Sequence, residues 1–366
     1  MRKTIVAFLV AGATSASAQN AELIAKLDSA ASATVRYLKL PSVAVAVVRG
    51  RDTLLLRGYG YADRDAKRAA TPNTIYEIGS LTKQITASAI MRLAEQGKLK
   101  IDDTISKYVK FPLQGHVVTI RNLLNHTSGI HNYTNVAAWR STWASDLSAD
   151  SIVGFVAKDT FDFAPGTKWS YSNTGYVLLG MIIEKVSGKP YEKYVQDEFF
   201  TPLHLTHTLY CESHPTDTLM AKGYRFQGEQ LVPSTYLSMT HPRAAGSLCS
   251  SVGDWIAFER LFYAGKVVSP ASVLAMTTAN PMPGSAIPYG FGLGIGPVAG
   301  HKAIMHGGGI NGFSTHQVYF PNDSLYVAVF VNAEGAPPSP LALDLARIVL
   351  GVTPNGWGTF DRPGKP

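Results

Sequence analysis

The sequence has no run of five or more basic residues, although its overall charge is positive. Its 366 residues include 33 Lys and Arg against 26 Asp and Glu, which gives a formal net charge of +7. Because the positive residues are scattered along the chain, we interpret the excess as favouring solubility. We therefore expect no nucleic-acid partner.

Long apolar runs are also scarce. The run at residues 4–14 is too short to span a bilayer, follows Arg2 and Lys3, and precedes the small-residue segment Ala16-Ser17-Ala18. This order is typical of a secretory signal peptide, the alternative being a buried N-terminal helix. We predict a signal peptide at residues 1–18, a mature chain that begins at Gln19, and an exported protein that is periplasmic or secreted. No other stretch is long enough for a membrane helix, so we expect no stable membrane insertion.

Cysteine is nearly absent, since Cys211 and Cys249 are the only two. In an exported protein they could form one disulfide. Two free buried thiols are an equally good interpretation, because the geometry that a bridge needs is not visible in a sequence.

Two hydrolase motifs are missing. A conventional α/β-hydrolase needs Gly-x-Ser-x-Gly, and the nearest match, residues 312–316, fails at its last residue, His316. His204 and His207 lie three positions apart, but no His-Glu-x-x-His occurs. We expect no metal site and no cofactor.

Apolar periodicity divides the chain into strand-rich ends and a helical middle. Helices are predicted at 21–38, 81–96, 119–124, 151–157, 174–186, 191–200 and 340–350, and strands at 42–48, 53–61, 75–78, 303–306, 314–320 and 325–331. This order predicts an α+β fold, with one antiparallel sheet built from both termini, flanking helices and an inserted, mostly helical lobe at roughly 98–250. We assign 19–350 to one domain and 351–366 to a loose tail.

The first candidate catalytic element is Ser80-Leu81-Thr82-Lys83. If a helix begins at Ser80, Ser80 and Lys83 share one face. A desolvated lysine can be neutral enough to take the proton of a serine hydroxyl. A cap serine beside a surface lysine would have the same spacing.

The second element is Tyr171-Ser172-Asn173, in a loop that leads into the helix predicted from Thr174. Tyr171 could transfer a proton, and Asn173 could bind a substrate amide. An ordinary packed tyrosine is the alternative. Tyr133-Thr134-Asn135 is a competing match, but no strong helix follows it closely.

The third element is His306-Gly307-Gly308-Gly309, at the end of a predicted strand. Glycines there would let a substrate lie against the strand edge, and backbone amides could complete an oxyanion hole. A glycine turn beside a structural histidine is the alternative.

These elements, in this order, resemble the serine β-lactamase and penicillin-binding-protein superfamily, and most closely its class C-like branch of esterases, D-amino-acid peptidases and related hydrolases. The resemblance covers about Leu23 to Leu350. It includes the stretches Ile78-Gly79-Ser80-Leu81-Thr82-Lys83, Thr119-Ile120-Arg121-Asn122-Leu123-Leu124-Asn125-His126-Thr127-Ser128-Gly129-Ile130, Ala244-Ala245-Gly246-Ser247-Leu248 and Tyr289-Gly290-Phe291-Gly292-Leu293-Gly294.

The resemblance implies a β-lactamase/transpeptidase-like fold and a role for each matching position. Ser80 matches the nucleophile, Lys83 its neighbour, Tyr171 the residue that carries a proton to the leaving group, and Asn173 the contact to a substrate amide. His306, Gly307 and Gly308 match the substrate-binding strand, and the amides of Ser80 and Gly309 the oxyanion hole. Either Lys83 or Tyr171 could be the base for acylation.

One departure bears on the substrate. Many members of the superfamily have Lys-Thr-Gly where this chain has His306-Gly307-Gly308, and a histidine is only partly charged near neutral pH. We therefore expect a serine hydrolase for a small ester, amide or peptide, either an esterase or a D-amino-acid peptidase or amidase, in preference to an efficient β-lactamase. The rival is a penicillin-binding or sensor protein of the same fold that is acylated without turnover.

Overall fold

A computed structural model describes residues 6–211, 218–285 and 287–355, with side chains from residue 19 onward. The helices are α1 (Val6–Tyr37), α2 (Thr82–Glu95), α3 (Ile120–Leu124), α4 (Ala137–Arg140), α5 (Ala149–Gly154), α6 (Asn173–Ser187), α7 (Tyr191–Val195), α8 (Val252–Tyr263), α9 (Pro270–Met276) and α10 (Pro338–Leu350). The strands are β1 (Ser42–Arg49), β2 (Asp52–Asp63), β3 (Arg68–Ala69), β4 (Ile75–Glu77), β5 (Thr208–Tyr210), β6 (Tyr224–Gln227), β7 (Gln230–Pro233), β8 (Leu248–Ser251), β9 (Gly294–Val298), β10 (His301–Ile310), β11 (Phe313–Phe320) and β12 (Leu325–Val331).

The main sheet joins the two ends of the chain, as the sequence predicts. It has seven strands in the order β3-β2-β1-β12-β11-β10-β9, and neighbouring strands are antiparallel. β1 and β12 lie side by side at its centre, with Val43 opposite Val331. Both strands are almost entirely buried because helices cover both faces, which explains their nearly continuous Val and Ala content.

The two faces of the sheet bury separate cores. On the outer face, Leu27 of α1 and Leu345 of α10 pack with Val45 and Val329. On the inner face, Ala44 and Phe330 belong to the larger core, which continues into α2, α6 and α8. This inner core fixes α2 between the sheet and the inserted lobe, and α2 is the helix that the first catalytic element precedes.

The part of the chain between β3 and β9 contains strands as well as helices. β4, β8 and β5 form a three-stranded sheet in that order, and β6 and β7 form a hairpin. The strand predicted at 75–78 therefore joins this small sheet and not the large one. Helix α6 is mostly buried; Ser172 caps its start by accepting a hydrogen bond from the amide of Gly175, and Gly188 follows its end with a φ of 71°.

Cys211 and Cys249 form a disulfide, with their Cα atoms 5.3 Å apart. This decides between the two alternatives left by the sequence. Cys249 lies on β8 opposite Glu77 of β4, the strand that leads into Ser80. The bond therefore braces the small sheet just behind the candidate nucleophile.

The predicted signal peptide falls partly outside the described residues, since α1 is described only from Val6. Its cleavage remains a prediction. In the part of the chain that the structure describes, none of the helices is both long and apolar enough to cross a bilayer.

Candidate active site

Ser80 lies in a 3-10 turn, Gly79–Leu81, that runs directly into α2. Gly79 has a φ of 51°, a conformation that favours glycine. A Cβ atom at Gly79 would lie 2.9 Å from the amide nitrogen of Gly309 on β10. The turn is therefore held against β10 by a close approach of two backbones, which brings the first and third elements together.

Lys83 follows Ser80 by one helical turn and is fully buried. Its Nζ lies 3.1 Å from Oγ of Ser80. The same nitrogen donates to Oδ1 of Asn173 and to the carbonyl oxygen of Ala245, both at 2.8 Å. Burial lowers the pKa of Lys83 well below its usual value.

These contacts fit a neutral amine. A neutral lysine carries two hydrogens and one lone pair, and the oxygens of Asn173 and Ala245 can only accept. When both hydrogens are donated there, the lone pair of Lys83 is left for the hydroxyl hydrogen of Ser80. The arrangement can therefore take a proton from Ser80.

Tyr171 approaches Ser80 from the loop before α6. Its hydroxyl donates to Oγ of Ser80 at 2.8 Å, and its ring centre lies 4.7 Å from Nζ of Lys83. Burial raises the pKa of Tyr171 above its usual value, so the phenol stays protonated. Tyr171 is thus a hydrogen-bond donor to the same oxygen that faces Lys83.

The third element is an open strand edge. β9 pairs with β10 only as far as Met305 opposite Gly294, whereas β11 pairs with β10 as far as Ile310. The strand continues through the glycines, beyond the predicted end at residue 306, because β11 supports it on one side. The other edge of residues 306–310 is left for a substrate backbone.

Gly308 and Gly309 differ in the space around them. A Cβ atom at Gly308 would overlap the carbonyl oxygen of Ile78 and the hydroxyl of Thr315, so glycine allows β10 to pack against the nucleophile turn. A Cβ atom at Gly309 would meet nothing within 4 Å, because this residue faces open space. Gly307 and Gly309 are both exposed.

His306 differs from its expected state. The imidazole is buried, with Nε2 2.7 Å from the hydroxyl of Tyr289 and Nδ1 2.6 Å from the carbonyl oxygen of Gly307. Because that carbonyl can only accept, Nδ1 carries the proton and Nε2 accepts from Tyr289. Burial, with a smaller contribution from Lys83, lowers the pKa of His306 to about 3. The expectation of a partly charged histidine is therefore wrong: His306 is neutral near pH 7, and both of its ring nitrogens have protein partners.

The sequence assigned no role to three residues at this site. These are Ala245, Tyr289 and His126. Nδ1 of His126 accepts from the amide of Ser172 at 3.2 Å, and its ring packs against that of Tyr171, tilted by 40° with centroids 4.4 Å apart. All three lie within the stretches that carry the family resemblance, but their roles depend on contacts between distant segments.

The competing tyrosine does not reach the nucleophile. The hydroxyl of Tyr133 donates to the carbonyl oxygen of His241 at 3.1 Å. Tyr133 lines the cavity beside Ser80, which has a volume of about 120 Å³ and is also bounded by Asn173, Gly246 and Gly309. Tyr171 is therefore the tyrosine that the fold brings to Ser80.

The described residues contain no cluster of three or more His, Cys, Asp or Glu side chains that could hold a metal ion. Of the two histidines noted in the sequence, His207 lies beside Asp254, with Nδ1 3.7 Å from Oδ1.

Comparisons with known proteins identify the family and the fold. The family described as Beta-lactamase matches residues 27–351. "Putative penicillin-binding protein PbpX" of Bacillus subtilis is 31% identical over 288 residues, which cover 79% of this chain and 70% of that protein. The chain spans between 45% and 70% of the length of the curated relatives that it matches most strongly.

Two solved structures are similar over most of the chain. The octameric penicillin-binding protein homologue from Pyrococcus abyssi has a TM-score of 0.82 and 32% identity, covering 90% of this chain and 78% of that one. The D-stereospecific amidohydrolase from Streptomyces has a TM-score of 0.78 and 26% identity, covering 90% of this chain and 99% of that one. The predicted α+β fold is confirmed.

Proposed function

Because this chain belongs to the Beta-lactamase family, we propose that it is a serine hydrolase that cleaves an ester or amide bond through an acyl-enzyme on Ser80. One observation carries the proposal. Lys83 is fully buried among two obligate acceptors and the hydroxyl of Ser80. A neutral amine that donates its two hydrogens to these acceptors keeps one lone pair, and that lone pair faces Oγ of Ser80.

In acylation, Lys83 takes the proton of Ser80 as Oγ attacks the substrate carbonyl carbon. Negative charge then develops on the carbonyl oxygen. We assign its stabilisation to the amides of Ser80 and Gly309, an assignment supported by the contact of the nucleophile turn with β10 at Gly79. The base for acylation, which the sequence left open, is assigned here to Lys83.

Tyr171 supplies the second proton transfer. A protonated phenol 2.8 Å from Ser80 is placed to protonate the leaving group as the tetrahedral intermediate collapses. Lys83, now protonated, then returns its proton to the phenolate of Tyr171, which restores both groups. A water molecule then attacks the acyl carbon in the place of the leaving group. The same proton transfers, through Tyr171 and Lys83, run in reverse and restore Ser80.

The environment of His306 bears on the substrate class. A neutral, buried imidazole provides no fixed positive charge at the position where many relatives have lysine. We therefore favour esterase or D-amino-acid peptidase or amidase activity over efficient β-lactam hydrolysis. The similarity to a D-stereospecific amidohydrolase supports the same choice.

A second candidate is favoured by the penicillin-binding relatives: a protein that is acylated on Ser80 but does not turn over. The test is a panel of short-chain esters, D-amino-acid amides and a cephalosporin, followed by stopped-flow and steady-state measurements. Continued product release supports the hydrolase, whereas a single stoichiometric burst supports the second candidate.

A serine-directed phosphonate provides the site-specific control. We expect one adduct on Ser80 by mass spectrometry, and none in Ser80→Ala, with ester hydrolysis lower by several orders of magnitude. An adduct on a different serine would exclude this mechanism.

Export is a separate part of the proposal. It is supported by the signal-peptide pattern of residues 1–18. N-terminal sequencing of protein from the periplasm or culture medium should begin at Gln19; a chain that still begins at Met1 would contradict it.

A further inference from the structure

A second, larger cavity adjoins the catalytic one at the end of β10. Its volume is about 640 Å³, and it shares Gly309, Ile310 and Asn311 with the cavity beside Ser80. Its other walls are mostly apolar and come from the segment after α1, from β6, from the start of β11 and from the segment before α10: Leu38, Leu40, Phe226, Phe313, Ala336 and Pro337. A concave apolar site with few polar groups is the usual form of a small-molecule site.

Two charged residues line this cavity, and they have opposite signs. They are Arg225, on β6, and Glu334, after β12. Neither forms an ion pair with any residue in the described ranges. Nε of Arg225 is buried and has no hydrogen-bond partner among the described residues. Buried polar groups normally have partners, so this guanidinium calls for an explanation.

The two charged side chains have different surroundings. Oε2 of Glu334 accepts from the hydroxyl of Ser234 at 2.7 Å and from the amide of Gly312 at 3.0 Å. Arg225 is placed by the pairing of β6 with β7, where it lies opposite Val232. Because Glu334 is held by Ser234 and Gly312, and Nε of Arg225 has no partner among the described residues, both side chains remain available to a ligand.

We propose that this cavity binds a zwitterionic group, with a carboxylate on Arg225 and an ammonium on Glu334, such as an amino acid or short peptide unit whose ammonium and carboxylate are both free. A single ligand of this kind would neutralise both charges and give the guanidinium a partner. The proposal rests on the proposed function in one respect: through Gly309–Asn311 the cavity continues from the catalytic one, so the group would be a distant part of the substrate acylated on Ser80.

Binding can be measured without catalysis. The protein is full-length Ser80→Ala, and the probes are glycine, diglycine and triglycine, which are achiral and separate the two charges by increasing distances. Each has an N-acetylated and a C-amidated analogue that lacks one charge. By isothermal titration calorimetry we expect at least one zwitterion to bind about tenfold or more tightly than both of its blocked analogues.

Variants assign the binding to the cavity. Arg225→Gln and Glu334→Gln should each remove that preference, and Gln at 334 can still accept from Ser234 and Gly312. Arg225→Lys keeps the charge and should retain part of the preference, while Arg51→Gln, an exposed arginine in the β1–β2 turn, should leave it unchanged. Thermal melting reports on folding in every variant.

Equal affinity for zwitterionic and blocked probes, no measurable binding of any probe, or a preference that survives both Gln variants would overturn this inference. None of these results bears on turnover by the wild-type protein. Conversely, a lack of ester and amide turnover would contradict the proposed function and leave the calorimetric result standing.

Discussion

Two regions around helix α2 bury an ionisable group in different ways. On one side, Lys83 faces Ser80 and the cleft, and its Nζ has three hydrogen-bond partners: Ser80, Asn173 and Ala245. On the other, Glu259 of α8 is buried against Gln84, whose Nε2 donates to Oε1 at 2.6 Å, while Oε2 has no partner among the described residues. Burial shifts both groups toward their neutral forms: the pKa of Lys83 falls, and that of Glu259 rises to about 8.

The difference shows that a shifted pKa by itself does not identify a catalytic group. Glu259 has no hydroxyl nucleophile as a partner and does not line the cavity beside Ser80. Lys83 has a nucleophile, two acceptors that orient its lone pair, and a cleft within reach. We therefore expect replacement of Lys83 to change the reaction and replacement of Glu259 to change stability.

The largest expected effect is that of Lys83→Ala. Loss of the base should lower kcat/KM by about a hundredfold or more, with little change in thermal stability, and phosphonate labelling of Ser80 should slow in parallel. Lys98→Ala, at an exposed position beyond the end of α2, is the matched control. Turnover near the wild-type rate would remove Lys83 from the mechanism.

Tyr171→Phe should lower the rate of the reaction by about a hundredfold. The phenyl ring can still pack against His126, so the loss isolates the hydroxyl 2.8 Å from Ser80. Because the hydroxyl protonates the leaving group, the loss should be greatest for poor leaving groups. A plot of log kcat against leaving-group pKa tests this; an unchanged slope would count against proton donation by Tyr171.

Glu259→Gln tests the buried carboxyl group that lies outside the active site. The folded pKa of about 8 lies above the ordinary value of 4.5. The stability that protonated Glu259 contributes is therefore complete below about pH 4.5 and is lost as the pH rises through about 8. Each unit of pKa shift is worth about 1.4 kcal/mol, so the variant should gain on the order of a few kcal/mol over wild type between pH 5 and pH 9.

Urea unfolding at several pH values measures this gain, and Glu229→Gln, at an exposed position, is its control. Activity per folded molecule should be unchanged. Parallel pH profiles of unfolding free energy in wild type and Glu259→Gln would mean that Glu259 is ionised in the folded protein.

The smallest expected effect concerns His306. With a pKa of about 3, the imidazole stays neutral from pH 5 to pH 9, so it should add no inflection near its ordinary value of 6.5. Any rise of activity with pH should instead follow deprotonation of Lys83, whose pKa burial lowers well below its usual value. His306→Gln should alter the rate but not the position of that rise, and a rise that moves with the substitution would show that His306 titrates.

Much of the fold was predictable because the signals are local. β1 and β12 follow from short, nearly continuous apolar runs, and the hairpin between β1 and β2 follows from the turn residues between them. The small sheet was not predictable as a sheet, since β4, β5 and β8 are short and come from distant segments. The end of β10 was placed too early because glycine has low strand propensity, whereas pairing with β11 continues through Gly309.

The sequence by itself determined the order of the three catalytic elements, the spacing of Ser80 and Lys83 on one helix face, and the strand-rich ends that build the sheet. Only the tertiary structure decided the electrostatic state of the site. Burial of Lys83 beside Asn173 and Ala245, and of His306 beside Tyr289, depends on segments far apart in the chain. The free energy of a charge depends on the atoms that replace its water, and those atoms are assembled only when the chain folds.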